Sequence, residues 1–267
     1  MTTISSKIKW FVTAALAVLL GVVLGAAYWR ACNTTNPWQA RQVGEIPTLR
    51  GFTRVPADSG SYAAYLRALP LKEKGAKLHL HNGIVAKHQI LAAAVVDQPL
   101  LNKHEQCADV AIRLWAEYLW HTRRYDELCF TDVRDSQLCY LCDTLLHDTL
   151  LPSFEDYLAE VYKWCNTASL YQETSPRRFI DVQSGDILVH PAEPDEMYGH
   201  AIVVADVAKD SKGRVAILCL EGNTPAREKH IVRNKWLWRN PWFIIHSNDT
   251  QIKFIKSRFR QGQLRHY

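Results

Sequence analysis

An uncharged apolar run stands near the start of the chain, FVTAALAVLLGVVLGAAYW from Phe11 to Trp29, and Lys7 and Lys9 precede it. A helix crosses a bilayer with roughly 20 such residues, and the run is close to that length. Positive charge before an apolar run favours a cytoplasmic N-terminus, with the rest of the chain across the membrane. The pattern therefore predicts one N-terminal transmembrane helix.

The end of this run leaves two alternatives open. Gly25-Ala26-Ala27 is a small-residue motif that signal peptidase could cleave, and Cys32 stands where a lipoprotein cysteine would stand. The run is long for a signal-peptide core, and the residues just before Cys32 are not a small apolar triplet. An uncleaved, unmodified anchor is therefore the favoured prediction.

Helical patterns follow the anchor. An apolar stripe from about His104 to His121 predicts the strongest helix, along which Arg113 and Glu117, four residues apart, are expected to pair. A second helix is predicted over Phe154–Cys165. The short helix after it places Ser169 near its N-terminus, where the positive end of the helix dipole lies.

The last third of the chain is rich in β-forming residues. Its runs are GDILVHP, HAIVVADV, RVAILCLEG, EKHIVR and PWFIIH. They predict an antiparallel sheet, and with the helices they predict an α+β fold. The turn sequence KDSKGR joins the second run to the third, so that His200 and Glu221 are expected at the same end of a hairpin.

The pair of His200 and Glu221 suggests hydrolytic chemistry. A carboxylate that accepts from one imidazole nitrogen fixes the tautomer and leaves the other nitrogen free as a base. A thiol or hydroxyl at the start of a packed helix would complete a set of nucleophile, base and orienting residue. Cys165 and Ser169, with His200 and Glu221, are the candidate catalytic residues.

Composition narrows the function classes. The net charge is +5 and the pI about 8.8, but the basic residues are scattered except in the final KFIKSRFRQGQLRHY, and no nucleic-acid-binding motif accompanies them. Nucleic acid is therefore not an expected partner.

Of the seven cysteines, Cys139 and Cys142 form a CxxC, but no second ligand pair supports zinc. We expect neither a metal nor a cofactor.

Several blocks of the chain resemble a known family. They are LRALPLK with HNG, QCADVAIRLWAEYL, YLAEVYKW followed by NTASL, GDILV, GHAIVVADVA and TPAREKHIV. In order and content they resemble a family of bacterial envelope proteins known only as a domain of unknown function, over about Arg54 to Ile245. More distantly, the GDI block followed by Gly-His and a hairpin resembles the NlpC-type cell-wall peptidases, a papain-like group.

The second resemblance implies roles for the candidate residues. NlpC-type peptidases use a cysteine at a helix N-terminus, a histidine that opens a strand and a third polar residue. By that resemblance His200 is the base and Glu221 the orienting residue. The pattern Asp-Cys-Ser is missing at the short helix, which begins Asn166-Thr167-Ala168-Ser169. Either Ser169 replaces the cysteine, or Cys165 reaches the site, or the site is inactive.

These observations predict five segments: an anchor or signal (1–30), a linker (31–51), an accessory α+β region (52–151), a papain-like core (152–247) and a basic tail (248–267). We expect a single-pass inner-membrane protein whose C-terminal domain lies in the periplasm. The favoured function is hydrolysis of amide bonds in the cell wall, as a peptidoglycan peptidase or amidase. The alternative is an inactive module that binds peptidoglycan or an envelope protein.

Overall fold

The computed structural model describes residues 2–141, 153–194, 196–235 and 240–267. The α-helices there are α1 (Thr2–Asn33), α2 (Tyr62–Ala68), α3 (Cys107–His121), α4 (Phe154–Trp164) and α5 (Thr167–Glu173). The strands are β1 (Phe52–Arg54), β2 (Ala92–Val95), β3 (Cys129–Thr131), β4 (Gln137–Cys139), β5 (Ser175–Pro176), β6 (Ile187–His190), β7 (His200–Asp210), β8 (Val215–Glu221), β9 (His230–Val232), β10 (Phe243–Ile245), β11 (Gln251–Lys253), β12 (Arg258–Arg260) and β13 (Leu264–His266).

The first helix, α1, contains the segment Ile8–Arg30, which is long and apolar enough to cross a membrane. None of that apolar segment is buried against the rest of the protein. A helix of this composition needs an apolar environment to cover its side chains. This agrees with the predicted single transmembrane helix.

A nine-stranded antiparallel sheet forms the centre of the domain. Its order is β2-β9-β8-β7-β6-β13-β5, with β1 paired to the end of β7 and β10 paired to β8. The central pair, β7 and β8, aligns Val203 with Leu220 and Lys209 with Val215. The predicted antiparallel sheet and the mixed α and β composition are therefore confirmed.

Both faces of the sheet are buried, and β7 shows how its side chains divide between them. Ala201, Val203 and Ala205 belong to the core shared with the helices, whereas Ile202 and Val204 belong to the core on the opposite face. The small side chains on the first face let α3 pack closely on β7 and β8. The opposite face is covered by the segment around Phe179 and by the β11–β12 hairpin.

The segments predicted as a linker and as a basic tail both pack into the domain. In the predicted linker 31–51, Thr35 Oγ1 donates to Ala76 O at 2.7 Å and Asn36 is buried, its side chain bonded to Ala40 and Lys72. The predicted tail 248–267 forms β11, β12 and β13, and β13 belongs to the main sheet. Polar residues in both segments satisfy backbone groups or alternate with buried apolar ones, which composition alone does not show.

The predicted division at residues 151 and 152 does not separate two sheets. β1 and β2, from the segment 52–151, pair with β7 and β9, from the segment 152–247. The second cysteine of the CxxC, Cys142, lies outside the described residues. The first, Cys139, forms a disulfide with Cys129 that joins β3 to β4.

Charged side chains are buried where α3 meets β9. Glu105 accepts from Lys229 Nζ at 2.7 Å and from Arg113 at 2.6 Å, and the side chains of Glu105 and Lys229 are both 0% exposed. Arg113 also donates to Glu117 at 2.7 Å, which confirms the predicted pair. Removing one member of such a group leaves a buried charge without its partner.

We therefore expect Glu105→Ala to lower the free energy of unfolding by about 3–5 kcal/mol, because Lys229 and Arg113 lose a buried counter-charge. Urea unfolding of the full-length protein in detergent would measure this loss. The matched control is Glu127→Ala, which deletes the exposed partner of Arg124 and should hardly change stability. Equal effects of the two substitutions would show that the buried group adds nothing.

Candidate active site

The helix α3 begins at Cys107, with Gln106 as its N-cap. Gln106 N donates to Asp109 Oδ2 at 2.7 Å, and Thr224 Oγ1 donates to Gln106 Oε1 at 2.8 Å. The first bond caps the N-terminus of α3, and the second holds its first turn against the loop after β8. Cys107 therefore occupies the first helical position, next to the end of the sheet.

Two glycines let the chain segments around this position approach closely. A Cβ atom at Gly222 would lie 2.6 Å from Val110 Cγ2, so a larger residue there would push β8 away from α3. A Cβ atom at Gly199 would lie 2.3 Å from both His190 O and Thr167 Oγ1. The residue before Gly222 is therefore held close to the start of α3, and the residue after Gly199 is held close to the end of β6 and the start of α5.

These residues are His200, the first of β7, and Glu221, the last of β8. His200 Nε2 lies 2.9 Å from Glu221 Oε2, as expected because the first residue of β7 and the last of β8 lie at the same end of the antiparallel hairpin. The predicted neighbourhood of the two residues is therefore confirmed. With Nε2 engaged by the carboxylate, Nδ1 is the ring nitrogen that remains for another partner.

Cys107 lies beside the His200 imidazole. Burial of the imidazole opposes its protonation, but hydrogen bonding to Cys107 and to Glu221 outweighs burial and raises the pKa of His200 to about 10. The structure thus joins a thiol, an imidazole and a carboxylate in one row.

The carboxylate of Glu221 also meets a second imidazole. His230 Nε2 lies 3.3 Å from Glu221 Oε1, close enough for an electrostatic contact although poorly aligned for a hydrogen bond. Burial opposes ionisation of Glu221, but the contacts with His200 and His230 outweigh it and lower the pKa of Glu221 to about 2. A permanently charged carboxylate fixes the orientation of the His200 ring.

Ser169 and Cys165 make their hydrogen bonds elsewhere. Ser169 Oγ accepts from Asn166 N at 3.0 Å and donates to Asn166 O at 3.1 Å, and so caps the seven-residue helix α5. Cys165 Sγ lies 3.5 Å from Thr131 O, and burial raises the pKa of this thiol to about 12. Neither side chain takes part in the hydrogen bonding around His200.

The signal for Cys107 was present in the sequence. Gln106 with Asp109 three residues later has the spacing of a capping box, which marks the start of a helix. The apolar stripe predicts a start at about His104 and includes Cys107 among its positions, whereas the helix begins at Cys107. Its burial, 6% exposed, agrees with that stripe, but its first-turn position gives it a second role.

Two cavities meet at this row of residues. One, of about 610 Å³, is lined by His200 and Glu221 and by charged residues of the β11–β12 hairpin; we call it the polar arm. The other, of about 900 Å³, is lined by Tyr162, Trp164 and Met197; we call it the aromatic arm. The residues that line both arms are Cys107, Tyr198, Gly199 and Thr224. A ligand that spans the two arms must pass the thiol.

A family described as "Domain of unknown function (4846)" matches the chain over residues 44–143 and 137–266. The two matched ranges together take in α3, β7 and β8, and hence the thiol, imidazole and carboxylate. No curated protein and no solved structure matches the chain.

The contact between Cys107 and His200 can be measured directly. Because Cys107 contributes to the raised pKa of His200, Cys107→Ala should lower the imidazole pKa from about 10 toward its ordinary value of 6.5. NMR titration of the ring proton signals would follow this shift. Cys165→Ala is the matched control and should leave the titration unchanged; a shift in the control alone would mean that Cys165 is the thiol beside His200.

Proposed function

The chain belongs to this family, a domain of unknown function, and we propose that it is a membrane-anchored thiol hydrolase that cleaves amide bonds of the bacterial cell wall. Cys107 is the nucleophile, His200 transfers protons and Glu221 orients the imidazole. The single observation behind this assignment is the position of His200 between the Cys107 thiol and the Glu221 carboxylate.

The raised pKa of His200 indicates how the reaction begins. In the proposed reaction the thiol proton of Cys107 passes to His200, whose protonated form is stabilised by Cys107 and Glu221. The Cys107 sulfur then attacks the amide carbonyl carbon and forms a C–S bond. His200 donates its proton to the leaving nitrogen as the C–N bond breaks, which gives a thioester and a free amine.

The second half of the reaction restores the thiol. A water molecule attacks the thioester carbonyl while His200 accepts its proton, and the C–S bond breaks to release a carboxylic acid. Negative charge on the carbonyl oxygen develops in both steps. The Gln106 side chain accepts from the Asp109 N–H, whereas the N–H groups of Cys107 and Ala108 have no carbonyl partner within α3, so we assign these two to stabilise that oxygen.

The start of α3 supports the distant similarity to NlpC-type peptidases better than the start of the short helix α5 does. Cys107 opens a helix, His200 opens a strand, and a third polar residue completes the row, as in that papain-like group. The departure lies in the flanking residues, because Gln106 and Ala108 stand where the pattern has Asp and Ser. In this chain Gln106 caps the helix and bonds to Thr224, so the same helix start is fixed by different contacts.

Two features support a place outside the cytoplasm. Lys7 and Lys9 precede the apolar segment of α1, an arrangement that leaves the N-terminus inside and the domain across the membrane. The disulfide between Cys129 and Cys139 suits an oxidising compartment such as the periplasm, because thiols in the cytoplasm are kept reduced. Both features fit a domain that faces the cell wall.

A non-catalytic binding module is the second candidate, and the low exposure of the thiol favours it. Cys107 is 6% exposed, so a carbonyl group has little space in which to approach the sulfur. In that case the two arms would hold a wall fragment or an envelope protein without cleaving it.

Activity on peptidoglycan fragments separates the two candidates. With full-length protein in detergent, Cys107→Ala should abolish release of new amino groups, and His200→Ala should slow it by about 10²- to 10⁴-fold, the usual contribution of a proton-transferring residue. The losses should not add in the double variant, because residues of one catalytic unit fail together.

Cys165→Ala and Ser169→Ala are the matched controls, and both should retain activity. Activity that survives Cys107→Ala but disappears in a control would move the nucleophile to Cys165 or Ser169. Tight binding of fragments by the wild type without any cleavage would establish the binding module instead.

Membrane orientation is tested separately with a reporter fused after Tyr267. Alkaline phosphatase, which needs an oxidising compartment to form its disulfides, should be active in this fusion because Lys7 and Lys9 keep the N-terminus inside. A β-galactosidase fusion at the same position should be inactive and serves as the control. The opposite pair of results would place the domain in the cytoplasm.

A further inference from the structure

More basic than acidic side chains line the polar arm. Its acidic residues all have partners: besides Glu221, which contacts His200, Glu193 Oε1 lies 3.5 Å from Arg260 and Glu196 Oε2 lies 3.8 Å from His190 Nδ1. These three acids face four lysine and arginine residues of the same arm, of which Arg260 is the one near Glu193.

The basic side chains of the polar arm are less completely paired than its acidic ones. Within the described ranges, Lys253, Lys256 and Arg258 form no salt bridge with any carboxylate, although all three line the same cavity as Cys107 and His200. Exposed cations of this kind attract anions over about 8–10 Å at moderate ionic strength. The wall that they form is positive.

The strand register makes this wall costly for the fold itself. Lys253 on β11 stands directly opposite Arg258 on β12. Like charges in this position destabilise a hairpin. Ile252 and Phe259, the adjacent pair, are buried and fix the hairpin with its charged side toward the cavity. An anion bound between the two cations would relieve their repulsion.

We infer that the polar arm binds a carboxylate of the substrate, so that the protein acts on acidic peptides and holds their acidic side chain against Lys253, Lys256 and Arg258. The inference rests on the proposed function, since Cys107 lines the same arm. It adds to that function a specificity, because a peptide without a carboxylate would leave the two opposed cations unpaired.

Binding to the Cys107→Ala protein tests this inference without any need for turnover. The probes are two five-residue peptides blocked at both ends, one with two glutamates and the other with glutamines in the same positions. The glutamate peptide should bind about tenfold more tightly, and this preference should fade as salt is raised. Calorimetry on the full-length protein in detergent measures both affinities.

Neutralising the wall should remove the preference. In the triple variant Lys253→Gln, Lys256→Gln, Arg258→Gln the two peptides should bind equally, at the affinity of the glutamine peptide. The matched control changes net charge by the same amount at exposed sites away from the arm, Lys74→Gln, Lys212→Gln and Arg178→Gln, and should keep the tenfold preference.

A Cys107→Ala protein that binds both peptides equally, or neither, would overturn the inference, as would a control triple that loses the preference as fully as the arm triple. The proposed function is judged by cleavage alone. A clear preference without cleavage by the wild type would leave the inference standing and remove the hydrolase.

Discussion

A buried carboxylate cannot remain charged unless other groups replace the water that it loses, and Glu221 is such a carboxylate. It stands at the last position of β8, where the antiparallel register brings His200 of β7 to one oxygen and His230 of β9 near the other. Three neighbouring strands therefore have to end together. The start of α3 then closes the row, because Gly222 lets the helix approach and Thr224 holds its N-cap.

Much of this arrangement could be predicted from the pattern of residues. The hairpin of β7 and β8 follows from two β-rich runs around KDSKGR, and its register places His200 and Glu221 together. The sheet, α4 and the membrane-spanning length of α1 follow from periodicity in the same way. In each case local side-chain pattern and final structure agree, because the residues are close in sequence or joined by one turn.

Contacts between distant segments could not be predicted in this way. Cys107 meets His200 only because α3 packs across the sheet, and apolar periodicity specifies a helix face without specifying its first residue. The same limit applies to β13, whose short pattern resembles a solvated end until β6 supplies its partner. Asn36 is a third case, since its buried amide looks like a linker residue until Lys72 and Ala40 accept its hydrogen bonds.

The packing of Thr35 and Asn36 against the domain also sets a distance. The chain folds into the domain directly after α1 ends at Asn33, so no slack segment separates the two. A folded unit of roughly 235 residues has a radius of gyration of about 18 Å. With α1 in a bilayer, the polar and aromatic arms stay within a few nanometres of the lipid surface, a distance set by the size of the domain. A ligand of these two arms must therefore lie within the same few nanometres of the membrane.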